Sequence, residues 1–86
     1  MAQYKNTSSA ATAVHSARPC RLVRIQINGG TMGAITIYDN ASAGSGTVIA
    51  TISAPVSGQT FNWGCQAVNG ITIVTAAATN LTSIIE

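Results

Sequence analysis

Few side chains in this sequence could take part in chemistry. His15 is the only imidazole, and Asp39 is the only carboxylate residue besides Glu86 at the end of the sequence. A hydrolytic triad needs a nucleophile beside the histidine and a group that orients it. Serines are plentiful, but no spacing here supports such a triad. We therefore predict that the chain is not an enzyme and that His15 lies on the surface or at a strand end.

Three further motifs could bind a ligand, but each has a simpler structural interpretation. Asp39-Asn40 could belong to a calcium site, yet Ca²⁺ takes about six to eight oxygens, and these residue types commonly open turns. The segment Gly44-Ser45-Gly46 lacks the lysine and the helix of a phosphate loop. Cys20 and Cys65 with one histidine are too few for a structural zinc site. We expect no metal and no cofactor.

The charged fraction, 7%, is far below the roughly 25% of a typical soluble domain. A surface with so little charge favours a protein that contacts other subunits, because little keeps copies apart. The formal net charge is +2, and Arg18, Arg21 and Arg24 are three of the four cationic residues. These cations are too few for a nucleic-acid groove. The arginines form either a solvated strand face or a contact with an acidic neighbouring subunit.

The expected location follows from two absences in the sequence. The N-terminus has no basic start followed by an apolar core, and no apolar run is long enough to span a membrane. We therefore expect synthesis in a cytoplasm and no membrane partner. In that compartment Cys20 and Cys65 would stay reduced and buried, and a disulfide between them is the alternative.

Alternating apolar residues recur about every ten positions, with turn residues between them, which predicts an all-β fold. We expect a single antiparallel β-sandwich, jelly-roll-like, of about seven to eight short strands. Residues 1–17 form an N-terminal strand or arm, and residues 18–86 form the sandwich domain. The expected inward-facing residues are Val23, Ile25, Ile27, Ile35, Ile37, Val48, Ala50 and Ile52, with Phe61, Trp63 and Cys65 filling the core. Leu22 and Arg24 would then face outward, and Arg21 would share the inward parity of Val23.

Three segments together resemble small virion structural proteins of tailed bacteriophages: CRLVRIQINGG, AITIYDNASAGSGTVIATI and VNGITIVTAAATNLTSIIE. The resemblance covers residues 18–85 and includes Tyr38-Asp39-Asn40, Gly46 and Asn69-Gly70, all interpreted as turn and fold residues. It implies a compact β-sandwich of the capsid decoration, or cement, type and supplies no catalytic motif.

From this resemblance we expect a decoration protein on the outer capsid surface of the virion, made in the host cytoplasm. Its partners would be the major capsid protein and further copies of the chain, as a dimer or trimer, without nucleic acid. The expected contact residues are Tyr4, Lys5, Arg18, Arg21 and Arg24, and free strand edges are alternative docking sites. The alternative function is another virion component, such as a head, tail or fibre protein that binds a receptor or glycan.

Overall fold

A computed structural model describes residues 3–86, and these form eight β-strands without a helix. In chain order the strands are β1 (Gln3–Thr7), β2 (Thr12–Ser16), β3 (Cys20–Gly30), β4 (Ile35–Asp39), β5 (Thr47–Ile52), β6 (Thr60–Ala67), β7 (Ile71–Thr75) and β8 (Thr79–Ile85). The β-branched residues that dominate every apolar run favour this extended backbone. The predicted all-β class is confirmed.

The strands form two four-stranded antiparallel sheets. Sheet A has the order β1-β8-β3-β6, and sheet B has the order β2-β7-β4-β5. The first strand pairs with the last, the second with the seventh, the third with the sixth and the fourth with the fifth. This is one long hairpin of the whole chain, wrapped so that alternate strand pairs fall in opposite sheets. It is the jelly-roll arrangement, and the predicted β-sandwich is confirmed.

Aliphatic side chains from both sheets fill the space between them. Every second residue of a strand points to the same face, so the alternating pattern delivers its apolar members to one side. Each fully buried side chain of this kind stabilises the fold by about 1.5–3 kcal/mol. The fully buried members are Leu22, Ile25, Ile27, Ile35, Ile37, Ile71, Ile73 and Leu81. The inward positions predicted for Ile25, Ile27, Ile35, Ile37 and Ile52 are confirmed.

The predicted alternation fails in the middle of β3. Leu22 is fully buried, Val23 is only half-buried, and the side chain of Arg21 is 54% exposed. The inward prediction for Arg21 and the outward prediction for Leu22 are therefore wrong. The reason is a β-bulge between Leu22 and Arg24, seen against both β6 and β8, which puts Val23 and Arg24 together on the outer side.

A second irregularity changes the phase of β5. Ile37 pairs with Ala50 and Tyr38 pairs with Val48, so Ile49 is an extra residue on the β5 side. As a result Ile49 packs partly against the core, whereas Val48 is 48% exposed. The core position predicted for Val48 is therefore wrong, and Ala50 is half-buried.

The aromatic residues of β6 lie beside the core and do not fill its centre. Phe61 and Trp63 stack with ring centroids 5.8 Å apart and planes 12° from parallel. Together with Cys65 they pack against the buried cluster but remain half-buried, because β6 is an edge strand of sheet A. The prediction that these three residues fill the core is thus only partly right: they face inward and close its side.

The N-terminal segment supplies an edge strand to each sheet. β1 pairs with β8 at the edge of sheet A, and β2 pairs with β7 at the edge of sheet B. Of the two alternatives for this segment, residues 3–7 therefore adopt the strand, whereas Met1 and Ala2 lie outside the described residues. Cys20 is buried, Cys65 is half-buried, and both are free thiols.

Candidate functional site

The outer face of sheet A carries three of the five predicted contact residues. Ile84 of β8 lies between Tyr4 of β1 and Arg24 of β3 and pairs with both. Arg24 in turn pairs with Asn62 of β6. Directly paired residues point to the same side of a sheet, so these four side chains form one row across all four strands. Neighbouring strands lie about 4.8 Å apart, which makes the row roughly 14 Å wide. We name Tyr4, Arg21, Arg24, Asn62 and Ile84 the docking face.

Tyr4 and Arg24 are the exposed members of this row with the largest side chains. Tyr4 is 77% exposed, more than any other large hydrophobic residue among those described, and Arg24 is exposed. Ile84 lies between them and is half-buried. Tyrosine and arginine are over-represented among the residues that dominate binding energy in protein interfaces. The row therefore has the composition of an interface centre.

Arg21 lies flat on the same face, at the end of sheet A where β3 begins. Its Nε donates to the carbonyl oxygen of Gly64 at 3.4 Å, and its Nη1 is 3.8 Å from Oε1 of Glu86. Gly64 has φ of +66° and leaves the space that the guanidinium occupies, since a Cβ there would be 3.0 Å from Nη2. Because both partners are about half exposed, this ion pair adds little stability.

A polar network extends the docking face toward the other end of sheet A. The amide of Asn6 donates to Oδ1 of Asn80 at 2.7 Å and to Oγ1 of Thr82 at 3.2 Å. The amide of Asn28 donates to the same two acceptors at 3.2 and 2.9 Å. These bonds connect β1, β8 and β3 on their outer side. The surface beside Tyr4 and Arg24 is therefore polar, uncharged and held in place.

Lys5 and Arg18 lie in a cleft at the end of the sandwich. The cleft has a volume of about 480 Å³ and is lined by residues 3–5 of β1, residues 15–20, and Ile85 and Glu86. The hydroxyl of Ser16 donates to the carbonyl oxygen of Arg18 at 2.9 Å, and Pro19 fixes the next backbone angle. This short turn therefore holds Arg18 at the rim.

His15 lies at the inner end of this cleft and bonds to two hydroxyls. Its Nε2 is 2.7 Å from Oγ1 of Thr7, and its Nδ1 is 2.6 Å from Oγ of Ser83. His15 is 8% exposed, so the predicted strand-end position is right and the surface position is wrong. Burial, followed by the positive charge of Lys5, lowers the pKa of His15 from its ordinary 6.5 to about 4.

The pair of His15 and Ser83 resembles a nucleophile with its base, but its surroundings do not suit catalysis. Ser83 is fully buried, so its hydroxyl cannot meet a substrate. The second ring nitrogen bonds to Thr7, where a triad would place a carboxylate. Because Thr7, His15 and Ser83 come from β1, β2 and β8, the three side chains join sheet A to sheet B.

Asp39 is fully used by the turn between β6 and β7. Its carboxylate accepts backbone N–H bonds from Val68 at 3.0 Å, Asn69 at 2.8 Å and Gly70 at 3.3 Å. The bonds from Asn69 and Val68, followed by that from Gly70, hold the pKa of Asp39 below its ordinary value. Asn40 turns back on its own loop and accepts from the N–H groups of Ser42 and Ala43. The predicted turn-opening role holds for Asn40, whereas Asp39 bonds a different turn.

Metal and membrane features can be checked over the same part of the chain. Within residues 3–86, no group of three or more histidine, cysteine, aspartate or glutamate side chains is placed to hold a metal ion. The same residues include no helix long and apolar enough to cross a membrane.

Sequence reasoning missed the cleft itself. Its walls come from three separate segments, and a cleft of this kind has no sequence signature until the β1–β8 pairing is known. In a jelly roll the first strand pairs with the last, so the jelly-roll prediction could itself have suggested that β1 pairs with β8. The chain matches no protein-family model, and no curated protein or solved structure is significantly similar to it. The fold and the two surfaces therefore define its class: a small jelly-roll β-sandwich with a tyrosine–arginine face and a cationic cleft.

Proposed function

We propose that this chain is a bacteriophage capsid decoration protein that binds the outer surface of the assembled shell and bridges neighbouring capsomers. Its partner is the major capsid protein, and its location is the virion surface. The observation that carries the proposal is the row of exposed Tyr4, half-buried Ile84 and exposed Arg24 across sheet A, which has the composition of an interface.

The charge distribution supports a protein partner that is acidic at the contact. The sequence has four lysine and arginine residues against two acidic ones. Asp39 accepts three backbone bonds, and Glu86 lies near Arg21. No carboxylate among residues 3–86 lies within ion-pair distance of Arg24. Arg24 is therefore available for an acidic group on a partner, at a site where arginine forms geometrically specific bidentate bonds.

Two further lines support a virion protein, both by analogy. Jelly rolls are common in viral capsid proteins and lectins, although a fold by itself does not determine function. The sequence of residues 18–85 resembles small virion proteins of tailed phages, and those residues include the strands that form most of the sandwich.

Self-association through the other side of the sandwich belongs to the same proposal. β5 and β6 are edge strands of sheets B and A, opposite the edge strands β2 and β1, and neither contains a charged residue or a proline. Natural proteins usually protect such edges with charge, so these two strands suit pairing with a second copy. β1 differs, because it carries Lys5.

An oligomer that bridges capsomers would stabilise the shell in two ways. Each added contact acts at a high effective concentration once the first has formed, so modest interfaces combine into tight binding. A protein that binds only the assembled shell also shifts the assembly equilibrium toward that shell by mass action.

Receptor or glycan binding is the alternative function. It would be favoured by aromatic rings on an open face, which can stack on sugars. Phe61 and Trp63 face the core and are half-buried, so they do not form such a platform. Among the described residues, Tyr4 is the aromatic side chain with the greatest exposure.

Co-sedimentation with the capsids encoded alongside the chain tests the proposal. We expect Tyr4→Ala and Arg24→Ala each to weaken binding by about thirtyfold, because truncating a central interface residue costs about 2 kcal/mol. The matched control is Val56→Ala, which removes a side chain that is 57% exposed on the loop between β5 and β6. That variant should bind like the unchanged protein.

The same experiment can contradict the proposal in two ways. Absence of binding to filled, expanded capsids, together with binding to host cells or glycan arrays, would replace it by the alternative function. Equal binding by all three variants would remove the docking face from the mechanism.

A further inference from the structure

The cleft beside β1 has the size and shape of a binding site. Its volume, about 480 Å³, falls within the roughly 300–1,000 Å³ typical of ligand sites. It is lined by residues 3–5 of the edge strand β1 and by residues 15–20, which include the turn that holds Arg18. Tyr4 belongs both to this lining and to the docking face, whereas Arg24 lies outside the lining.

Two cations enter the cleft from separate segments of the chain. Lys5 pairs with Ser83 of β8, whose side chain is fully buried, so the Lys5 side chain leaves β1 on the inner side of sheet A. Arg18 comes from the turn that the Ser16 hydroxyl and Pro19 hold in place. Within the described part of the chain neither has a carboxylate within 4.0 Å, whereas Glu86 has Arg21. The cleft therefore holds two positive charges without a direct ion pair, and Glu86, which also lines it, is paired with Arg21.

The third feature is the free edge of β1. Sheet A ends at this strand, so half of its backbone N–H and C=O groups point away from β8 and can pair with an added strand. The positive charge of Lys5 determines which kind of strand can pair with the free edge of β1. A second copy of β1 would bring another lysine against it, which is the inward-pointing charge that discourages self-pairing. An acidic strand would meet an opposite charge at the same place.

We propose that this cleft binds an extended acidic segment of a partner protein, which pairs with the edge of β1 and sets carboxylates against Lys5 and Arg18. This inference rests on the proposed function in taking the partner to be a protein, and it adds the chemistry of the segment that is bound. Because Glu86 also lines the cleft, it favours an occupant whose negative charges are separated by uncharged residues over a chain of phosphates with a charge at every position.

Fluorescence anisotropy with labelled peptides tests the proposal on the full chain. The probe is a ten-residue peptide of alternating glutamate and threonine, and its matched control has glutamine in place of glutamate. We expect the acidic peptide to bind and the neutral one to bind at least about tenfold more weakly, since charge-assisted hydrogen bonds are lost.

Variants of single side chains locate the site. Lys5→Gln and Arg18→Gln should each weaken binding of the acidic peptide by roughly tenfold. Val56→Ala truncates an exposed side chain outside both the cleft and the docking face, and we expect it to leave peptide binding unchanged. All three residues are exposed, so the variants should fold alike, which circular dichroism checks.

Three results would overturn the cleft assignment: equal binding of the neutral peptide, unchanged binding with Lys5→Gln and Arg18→Gln, or preferential binding of a single-stranded oligonucleotide. Failure here is distinguishable from failure of the proposed function. Peptide binding without capsid binding would remove the decoration role and leave the cleft. Capsid binding that survives Lys5→Gln and Arg18→Gln, without peptide binding, would leave the docking face alone.

Discussion

His15 is the residue whose protonation the fold most strongly opposes. The two hydroxyls around the ring can accept hydrogen bonds from a protonated imidazole as well as from a neutral one, so the bonds themselves do not resist the proton. Burial does, and the charge of Lys5 adds to it. The low pKa of His15 is therefore a cost of joining the two sheets through a buried polar group.

This arrangement predicts that acid destabilises the fold well before the carboxylates titrate. The folded pKa of about 4 lies below the ordinary 6.5, so the unfolded chain binds a proton first as the pH falls. The contribution of neutral His15 to the free energy of unfolding is complete above pH 6.5 and is lost as the pH falls toward 4. Between pH 7.5 and 5 we expect the free energy of unfolding to drop by about 2 kcal/mol, as measured with urea.

His15→Gln provides the control for that titration, because an amide can bond both hydroxyls and does not titrate. In this variant the drop between pH 7.5 and 5 should disappear. An NMR titration of the ring gives a second readout in the unchanged protein, with an expected midpoint near pH 4. A midpoint near 6.5 would show that the ring is not desolvated as described.

Residue-level prediction from sequence succeeded where a local rule applied. Ile35 and Ile37 follow strict alternation in a regular strand, and both are fully buried. Asn40 does what its side chain does in many turns. The contacts of His15 with Ser83 and of Asp39 with Asn69 were missed because these partners are 68 and 30 residues away in the sequence. Nothing near either residue in the sequence indicates those contacts.

At the scale of elements, Asp39 joins two connections that do not follow each other in the chain. It ends β4, and its carboxylate accepts three N–H groups of the turn between β6 and β7. Backbone N–H groups at such a turn would otherwise lack partners, and a charged acceptor satisfies them best. One carboxylate thus holds the end of β4 against the turn from which β7 begins.

We expect Asp39→Asn to lower the urea midpoint of unfolding, because the amide is a weaker acceptor and presents N–H groups to N–H groups. The lowered pKa of Asp39 also means that its stabilisation is present above its ordinary value of 3.8 and is lost as the pH falls through the folded value. Glu86→Gln is the matched control, since Glu86 is the only other acidic residue. An unchanged midpoint for Asp39→Asn would contradict this role.

The β-bulges in β3 and β5 are the features of the strands that the sequence pattern does not predict. Strand existence follows from alternation and turn residues, and the eight strands fall close to their expected places. A bulge shifts the phase of all that follows, and it depends on pairing with a neighbouring strand. Val23 and Val48 were therefore assigned to the wrong side, although Gly64, with its positive φ, lies beside the first bulge.

At the scale of the whole molecule, the fold concentrates its few charges. The jelly-roll pairing brings β1 and β3 into one sheet on either side of β8, so Tyr4 and Arg24, twenty positions apart in the sequence, lie in one row. The same pairing places Lys5 in one cleft with Arg18. The edge strands β5 and β6 contain no charged residue, although Arg21 of β3 reaches Gly64 of β6. The molecule thus has one side that supplies its cations and one side whose edge strands supply none.

This division of the molecule into two sides could not be predicted from the sequence, even though the residues were. Tyr4, Lys5, Arg18, Arg21 and Arg24 were chosen by residue type, and the pairing of first and last strands then assigned them to two surfaces. An expected role in the virion came from resemblance alone. In the function that we propose, sheet A contacts the shell and the β5 and β6 edges contact another copy.

A reconstruction of the mature virion by electron cryomicroscopy tests this account most directly. We expect ordered density for the jelly roll on the outer surface of the shell, between capsomers, with the row of Tyr4, Ile84 and Arg24 turned toward the capsid. Virions whose outer surface lacks this density, or in which sheet A faces solvent while another face contacts the shell, would contradict it.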